Sequence, residues 1–135
     1  MKINEINIEN KEDLRDVYIH DTYITNINID YDNKKIIIDF SESEKRCYTI
    51  IFESIARFEL YKLSLWGITR NQILEMYLDD YDIKQYINQK ENYQDKTTRN
   101  PDTLFTIGIL ADNGDRISIT CERVICIDLS KEQQD

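Results

Sequence analysis

The stretch "TYITNINIDYDNKKIIIDF", residues 22–40, decides the fold class because it alternates apolar and polar side chains with the period of a β-strand. Every second side chain of its first half falls on one face, and these are Tyr23, Thr25, Ile27, Ile29 and Tyr31. The same holds in its second half for Ile36, Ile38 and Phe40. Because "DNK" at 32–34 is typical of a tight turn, the stretch predicts a β-hairpin.

Further strands follow from the same alternation. "CYTIIFE" at 47–53 extends the hairpin to a three-stranded meander. "SIARFELYKLSLWG" at 54–67 predicts a fourth strand from the alternation of Ala56, Phe58 and Leu60, although this stretch also fits a helix. "TLFTIGIL" and "DRISITC" flank the hairpin turn "DNG" at 112–114, with Ile117, Ile119 and Cys121 pointing inward. We expect "VICIDL" to pack beside these two strands and "MKINEINIE" to supply an edge strand.

Residues 69–91 carry a different signal. "TRNQ" at 69–72 has the spacing of a capping box, and the apolar side chains that follow fit one helical face. Leu74, Met76 and Leu78 also alternate, so a strand over 69–79 remains an alternative. "DIKQ" at 82–85 repeats the cap-like spacing and predicts a helix over 83–91.

These elements predict an α+β fold that is mainly antiparallel β, with one helical insertion at about residues 69–91. Several short strands with frequent turns favour a β-sandwich or a strongly curved sheet. The 135 residues suit a single domain, 1–135.

The charge of the chain restricts its partners. A formal net charge of -9 and the lack of a basic cluster oppose binding to nucleic acid and to anionic membranes. Such a charge suits a basic protein partner, although solubility alone also explains it. Residues 1–20 hold no apolar signal segment and no run approaches a membrane span, so we expect a cytoplasmic protein.

His20, the only histidine, stands next to Asp21. In an extended chain adjacent side chains point to opposite faces, so the two are poorly placed to orient each other for catalysis. We interpret them as a structural motif at the start of the first core strand, where Asp21 accepts backbone hydrogen bonds.

The sequence predicts no metal site and no cofactor. A zinc site needs about four ligands at short spacings, and the chain offers one histidine and a lone C-x-x-x-x-C. Cys121 and Cys126 should face opposite sides of a strand, and we expect reduced thiols. The acidic runs at 79–82 and 112–115 lack the calcium-loop pattern, and three scattered glycines make no phosphate loop.

Aromatic and acidic side chains are interleaved in one segment of the predicted insertion. Tyrosines supply contact area in protein interfaces while carboxylates select a basic partner. The predicted partner-binding residues are therefore Asp79, Asp80, Tyr81, Asp82 and Tyr86. The alternative is that these tyrosines cover the sheet with their hydroxyls in water.

Several short motifs, spread over most of residues 19–128, resemble small bacterial proteins of the YxiG-like kind and neighbouring immunity-protein families. The first is the opening "HDxxIxxIxID", with His20 and Asp21. The others hold Phe52, Ile55 and Phe58, and then Gly114, Ile117, Ile119 and Cys121. The resemblance implies a cytoplasmic, non-catalytic domain, in some relatives suspected of neutralising a toxin, and it implies no catalytic residues.

The leading hypothesis is therefore a non-catalytic binding protein, and within that class an immunity protein that blocks a basic toxin domain. One alternative is a small enzyme or ligand-binding domain that uses a concave sheet face near His20. Another is an assembly subunit that pairs through an exposed sheet edge.

Overall fold

The computed structural model describes residues 1–61, 72–81, 83–85, 101–112 and 114–131. Within these ranges the chain forms nine β-strands, rich in the β-branched residues that favour pleated sheet. They are β1 (Lys2–Asn7), β2 (Tyr23–Asp30), β3 (Lys35–Ser43), β4 (Arg46–Glu53), β5 (Arg57–Tyr61), β6 (Ile73–Asp79), β7 (Phe105–Ala111), β8 (Arg116–Cys121) and β9 (Arg123–Asp128). Short 3-10 helices cover Lys11–Asp16 and Pro101–Thr103.

The strands form two antiparallel sheets. The first sheet has the order β1-β9-β4-β3-β2, and the second sheet has the order β5-β8-β7-β6. The predicted hairpin β2–β3, the meander through β4, the hairpin β7–β8 and the edge strand β1 are all confirmed. The chain is thus mainly antiparallel β, as predicted.

One apolar core lies between the two sheets, which makes the fold a β-sandwich. The first sheet contributes side chains such as Ile38, Ile50 and Phe52, and the second contributes Ile107 and Ile119. Leu14, on the first 3-10 helix, is buried in the same core, and that helix contacts β1 and β6.

A bent two-stranded ribbon joins the sheets. β4 and β9 pair in the first sheet, and their direct continuations β5 and β8 pair in the second. Residues 54–56 turn the corner on one strand, whereas Glu122 alone turns it on the other. The backbone N–H of Ala56 still donates to the carbonyl of Thr120 at 2.8 Å, and Ser54 adopts a positive φ of 55°. Corners of this kind, built on a bulge, let a strand switch sheets.

Two predictions are wrong because the chain changes sheets at this corner. "VICIDL" was expected to pack beside β7 and β8, but β9 crosses into the other sheet and pairs with β1 and β4. Cys121 and Cys126 were expected to face opposite sides, yet both lie in the one core, because the chain changes sheets between them. Cys121 is a core residue, as predicted.

Over 73–79 the helical insertion is wrong and the alternative, a strand, is confirmed, because these residues form β6. Ile73, Met76 and Leu78 contribute to the core, and a bulge at Leu74 shifts the alternation between them. Residues 83–85 are helical, in agreement with the helix expected over 83–91. The remaining parts of the insertion, 69–71, 82 and 86–91, lie outside the described residues.

A second bulge changes the facing of β2. The register shifts between Ile24 and Asn26, so Ile24 and Ile27 pack on the core while Thr25 is exposed. The sequence pattern placed Thr25 on the same face as Ile27, because an uninterrupted strand alternates without a break.

The outer face of the second sheet carries small side chains that are nevertheless buried. Thr106 and Thr120 share a hydrogen bond of 2.7 Å between their hydroxyls. Next to them the ring of Tyr77 lies on Gly108, and a Cβ at that glycine would stand only 2.3 Å from the ring. An aromatic ring thus covers the backbone at a position that only glycine leaves open.

Candidate protein-binding surface

Five isoleucines form a continuous apolar stripe on the outer face of the first sheet. This isoleucine stripe consists of Ile3, Ile37, Ile51, Ile125 and Ile127. Ile3 is 51% exposed, and the other four are half-buried. Their neighbours along the strands, such as Ile50 and Val124, point the other way into the core.

Strand pairing places the members of the isoleucine stripe side by side. Ile125 lies opposite Ile51, and Ile51 lies opposite Ile37, so one row crosses three strands. Ile127 adjoins that row along β9 and lies opposite Ile3 on β1. With strands about 4.8 Å apart, the stripe extends for about 14 Å across the sheet.

Among the described helices and strands, none packs on this face of the sheet. The sequence contains a signal for this second apolar face. "KIIIDF", "TIIF" and "VICI" are continuous apolar runs, whereas a strand with one solvated face alternates. Such runs indicate strands that are covered on both faces, and here Ile37, Ile51, Ile125 and Ile127 supply the second apolar face.

A ladder of ion pairs borders the isoleucine stripe on one side. Arg123 contacts Glu5 at 2.6 Å and Glu53 at 3.6 Å, and Lys35 contacts the other oxygen of Glu53 at 3.6 Å. At the end of this row the side chain of Asn33 donates a hydrogen bond to Asp30, which lowers the pKa of that carboxyl. The cations of the ladder are therefore occupied by carboxylates of the same face.

Asp39 borders the stripe on its other side. It lies two residues beyond Ile37 on β3, between Asn26 and Thr49 on the neighbouring strands. Its carboxylate accepts a hydrogen bond of 2.7 Å from the Thr49 hydroxyl. In the part of the chain that the structure describes, no lysine or arginine lies within ion-pair distance of Asp39. The stripe thus has a half-buried carboxylate without a cation at its margin.

The predicted acidic segment lies on the other sheet. Asp79 ends β6 opposite Thr106, Asp80 is exposed, and the ring of Tyr81 lies 3.8 Å from the guanidinium carbon of Arg57. Asp82 and Tyr86 lie outside the described residues. The structure therefore brings Asp79, Asp80 and Tyr81 together only as chain neighbours, and their predicted role in partner binding stays a prediction.

Arg57 is a buried cation, with its side chain 4% exposed. It donates hydrogen bonds to Ser118 at 2.8 Å and to Glu59 at 2.7 Å, while Tyr81 covers its face. Tyr61 donates to the same Glu59 oxygen, and this hydrogen bond lowers the pKa of Glu59 and raises that of Tyr61. A buried charge needs such partners, so the geometry ties Tyr81 to the second sheet.

His20 and Asp21 occupy a turn, and the expectation that they point apart is wrong. Asp21 has a positive φ of 67°, which folds the chain so that His20 Nδ1 stands 3.0 Å from its carboxylate. The direction of that contact is poor for a hydrogen bond, and the imidazole also stacks on Tyr18. A left-handed aspartate at the third turn position explains the difference, because the sequence pattern assumed extended backbone.

Hydrogen bonds of this turn link the start of β2 to the start of β6. The backbone N–H of Asp21 donates to the carbonyl of Ile73, the Ile73 N–H donates back to Thr22, and Gln72 donates to the Asp21 carboxylate at 3.0 Å. Arg46 donates to the carbonyl of His20 at 2.9 Å. Among the described residues only one carboxylate stands within ion-pair distance of His20. His20 and Asp21 thus belong to a hydrogen-bonded turn that links β2 to β6.

Other site types have no described residues to support them. No group of three or more potential metal ligands occurs among the residues that the structure describes. The three cysteines are free, and burial raises the pKa of the Cys126 thiol to about 12. In the described ranges no helix is long and apolar enough to cross a membrane.

Comparisons with known proteins add no relative. A scan against protein-family models matches no family, and a search of curated proteins finds no significant match. The resemblance to YxiG-like and immunity proteins therefore stays a prediction.

Proposed function

We propose that this protein is a non-catalytic binding protein that docks a partner protein through the isoleucine stripe. The observation that carries the proposal is five isoleucines in register on a sheet face that no described element covers. Contiguous exposed apolar patches rimmed by polar side chains are typical of protein interaction sites. Burial on partner binding would remove this apolar area from water, which supplies affinity.

The charge of the chain supports a basic partner. At a net charge of -9, a basic protein is attracted before contact, and its association rate falls as salt rises. Within this class we propose the neutralisation of a basic toxin domain, which the family resemblance implies. The segment with Asp79, Asp80 and Tyr81 would then be a second, charge-selecting contact on the other sheet.

Co-purification with the products of the flanking genes tests the proposal. The tagged protein is the bait, and the variant Ile51→Thr/Ile125→Thr removes apolar area from the middle of the stripe. Leu60→Thr is the matched control, because Leu60 is 45% exposed but lies on β5 of the second sheet. We expect a basic product to be retained by the native protein and by the control and lost by the double variant.

Salt provides the second arm of this experiment. Retention should weaken between low and high salt, because the electrostatic part of the attraction is screened. If no flanking product binds, or if the double variant retains it as well as the native protein does, the proposal is wrong.

A further inference from the structure

We infer that the element of the partner that contacts the isoleucine stripe is an amphipathic α-helix of about three turns, with a lysine or arginine that pairs with Asp39. The inference rests on the proposed function and names the shape and charge of what binds. It follows from the dimensions of the stripe and from Asp39, a carboxylate at its margin with no lysine or arginine within ion-pair distance among the described residues.

Strand addition does not reach the centre of the stripe, because four of its isoleucines lie on β3, β4 and β9 and only Ile3 lies on an edge strand, β1. A strand joins a sheet through the free N–H and C=O groups of an edge, whereas β3, β4 and β9 are paired on both sides. Only side chains are available on this face. The partner must therefore present a row of apolar side chains rather than a backbone.

The shape of the stripe suits a helix. The isoleucines form a band one or two side chains wide, which runs across four strands from β1 to β3. Its length of about 14 Å corresponds to roughly three helical turns at 5.4 Å each. Apolar side chains at positions i, i+3, i+4 and i+7 of a helix make a ridge of the same width.

Asp39 determines the charge of the helix. The cations Arg123 and Lys35 are already paired with Glu5 and Glu53, so they offer little to an acidic partner. Asp39 instead holds one hydrogen bond from Thr49 and stands beside Ile37. A lysine or arginine that flanks the apolar ridge would reach it and form a partly desolvated ion pair.

The alternative occupant, a second copy of this chain, is disfavoured by charge. Two copies at -9 each repel one another, whereas a cationic helix is attracted. The mass of the free chain in solution tests this alternative, because a second copy on the stripe would double it.

The experiment uses three synthetic 14-residue helical peptides and the full chain with labelled isoleucine methyl groups. The first peptide carries a leucine ridge flanked by lysine and arginine. The second peptide has the same leucine ridge but glutamate flanks. The third peptide keeps the lysine and arginine flanks but has alanine in place of leucine. Binding is followed by fluorescence anisotropy at low salt and by methyl chemical shifts. Asp39→Asn is compared with Asp30→Asn, an aspartate on the same face that is bonded to Asn33 within its own turn.

We expect the basic leucine peptide alone to bind, with the largest shifts at Ile37, Ile51 and Ile125. Asp39→Asn should weaken it about threefold to fivefold, and Ile51→Thr about tenfold, whereas Asp30→Asn should leave it unchanged. Equal binding of the glutamate peptide, an unaltered affinity in Asp39→Asn, or a dimer of the free chain that Ile51→Thr disrupts would overturn the inference. If no peptide binds but Ile51→Thr still abolishes capture of the flanking gene product, the helix inference fails while the proposed function stands.

Discussion

Threonine substitutions at two adjacent isoleucines should reduce the stability of this protein to very different extents. Ile50 and Ile51 follow each other on β4, but Ile50 is 0% exposed in the core and Ile51 lies half-buried in the isoleucine stripe. Threonine keeps the β-branched shape that suits a strand at either position. The comparison therefore separates apolar side chains that stabilise the fold from those that are available for binding.

The expected magnitudes follow from burial. At Ile50, threonine removes apolar contacts and buries a hydroxyl among Ile38, Phe52 and other core side chains, which should cost about 2–4 kcal/mol of unfolding free energy. At Ile51 the hydroxyl stays in water, so the loss should be less than about 1 kcal/mol.

Urea denaturation, followed by fluorescence, measures both values. If the unfolding free energy depends equally on urea concentration in the two variants and in the native protein, the substitutions act on the folded state rather than on the unfolded state. A loss of 2 kcal/mol or more at Ile51 would refute the reasoning, because it would mean that the stripe is covered by the protein itself.

Three further outcomes are expected. Gly108→Ala should cost about 1–3 kcal/mol, because the new methyl displaces the Tyr77 ring, and most of that cost should vanish in the Tyr77→Ala background of a double-mutant cycle. Because the pKa of Cys126 is raised, the contribution of this thiol to stability is complete below about pH 9 and is lost as the pH rises toward 12. In the native protein the Cys126 thiol should resist alkylation at pH 8, whereas the half-buried Cys47 should react. Asp21→Ala should destabilise by about 1–2 kcal/mol, with Asp21→Asn milder because asparagine tolerates the left-handed backbone; equal effects would contradict the turn geometry.

The sequence predicted the strands well wherever alternation is uninterrupted. Ile36, Ile38 and Phe40 on β3 and Ile117 and Ile119 on β8 face the core as expected, because period two is a local property. The failures lie where a single residue changes the phase or the direction of the chain. The bulge at Leu74 made β6 look helical, and the left-handed Asp21 turned an extended dipeptide into a closed pair.

Sheet membership was harder to predict than strand position. β9 follows β8 after one residue, and strands adjacent in sequence usually lie side by side, yet Glu122 carries the chain around the corner into the first sheet. Its partners β1 and β4 are distant in sequence, and alternation carries no information on which strands pair.

The isoleucine stripe could be predicted from the sequence only in part. Ile37, Ile51, Ile125 and Ile127 stand at the outward phase of otherwise alternating strands, and this is visible in the letters. Their contiguity depends on the register between β9, β4 and β3, which no local pattern supplies. The isolation of Asp39 from every described cation likewise depends on where the distant ladder residues lie.

The most direct test of the central claim is the dissociation constant of the captured basic partner for the native protein and for Ile51→Thr/Ile125→Thr, measured by titration calorimetry at one salt concentration. The account predicts at least about a tenfold weaker complex for the variant, which follows from the loss of two apolar contacts at the centre of the interface. An unchanged dissociation constant for a variant that is still folded would contradict the claim that the isoleucine stripe is the binding surface.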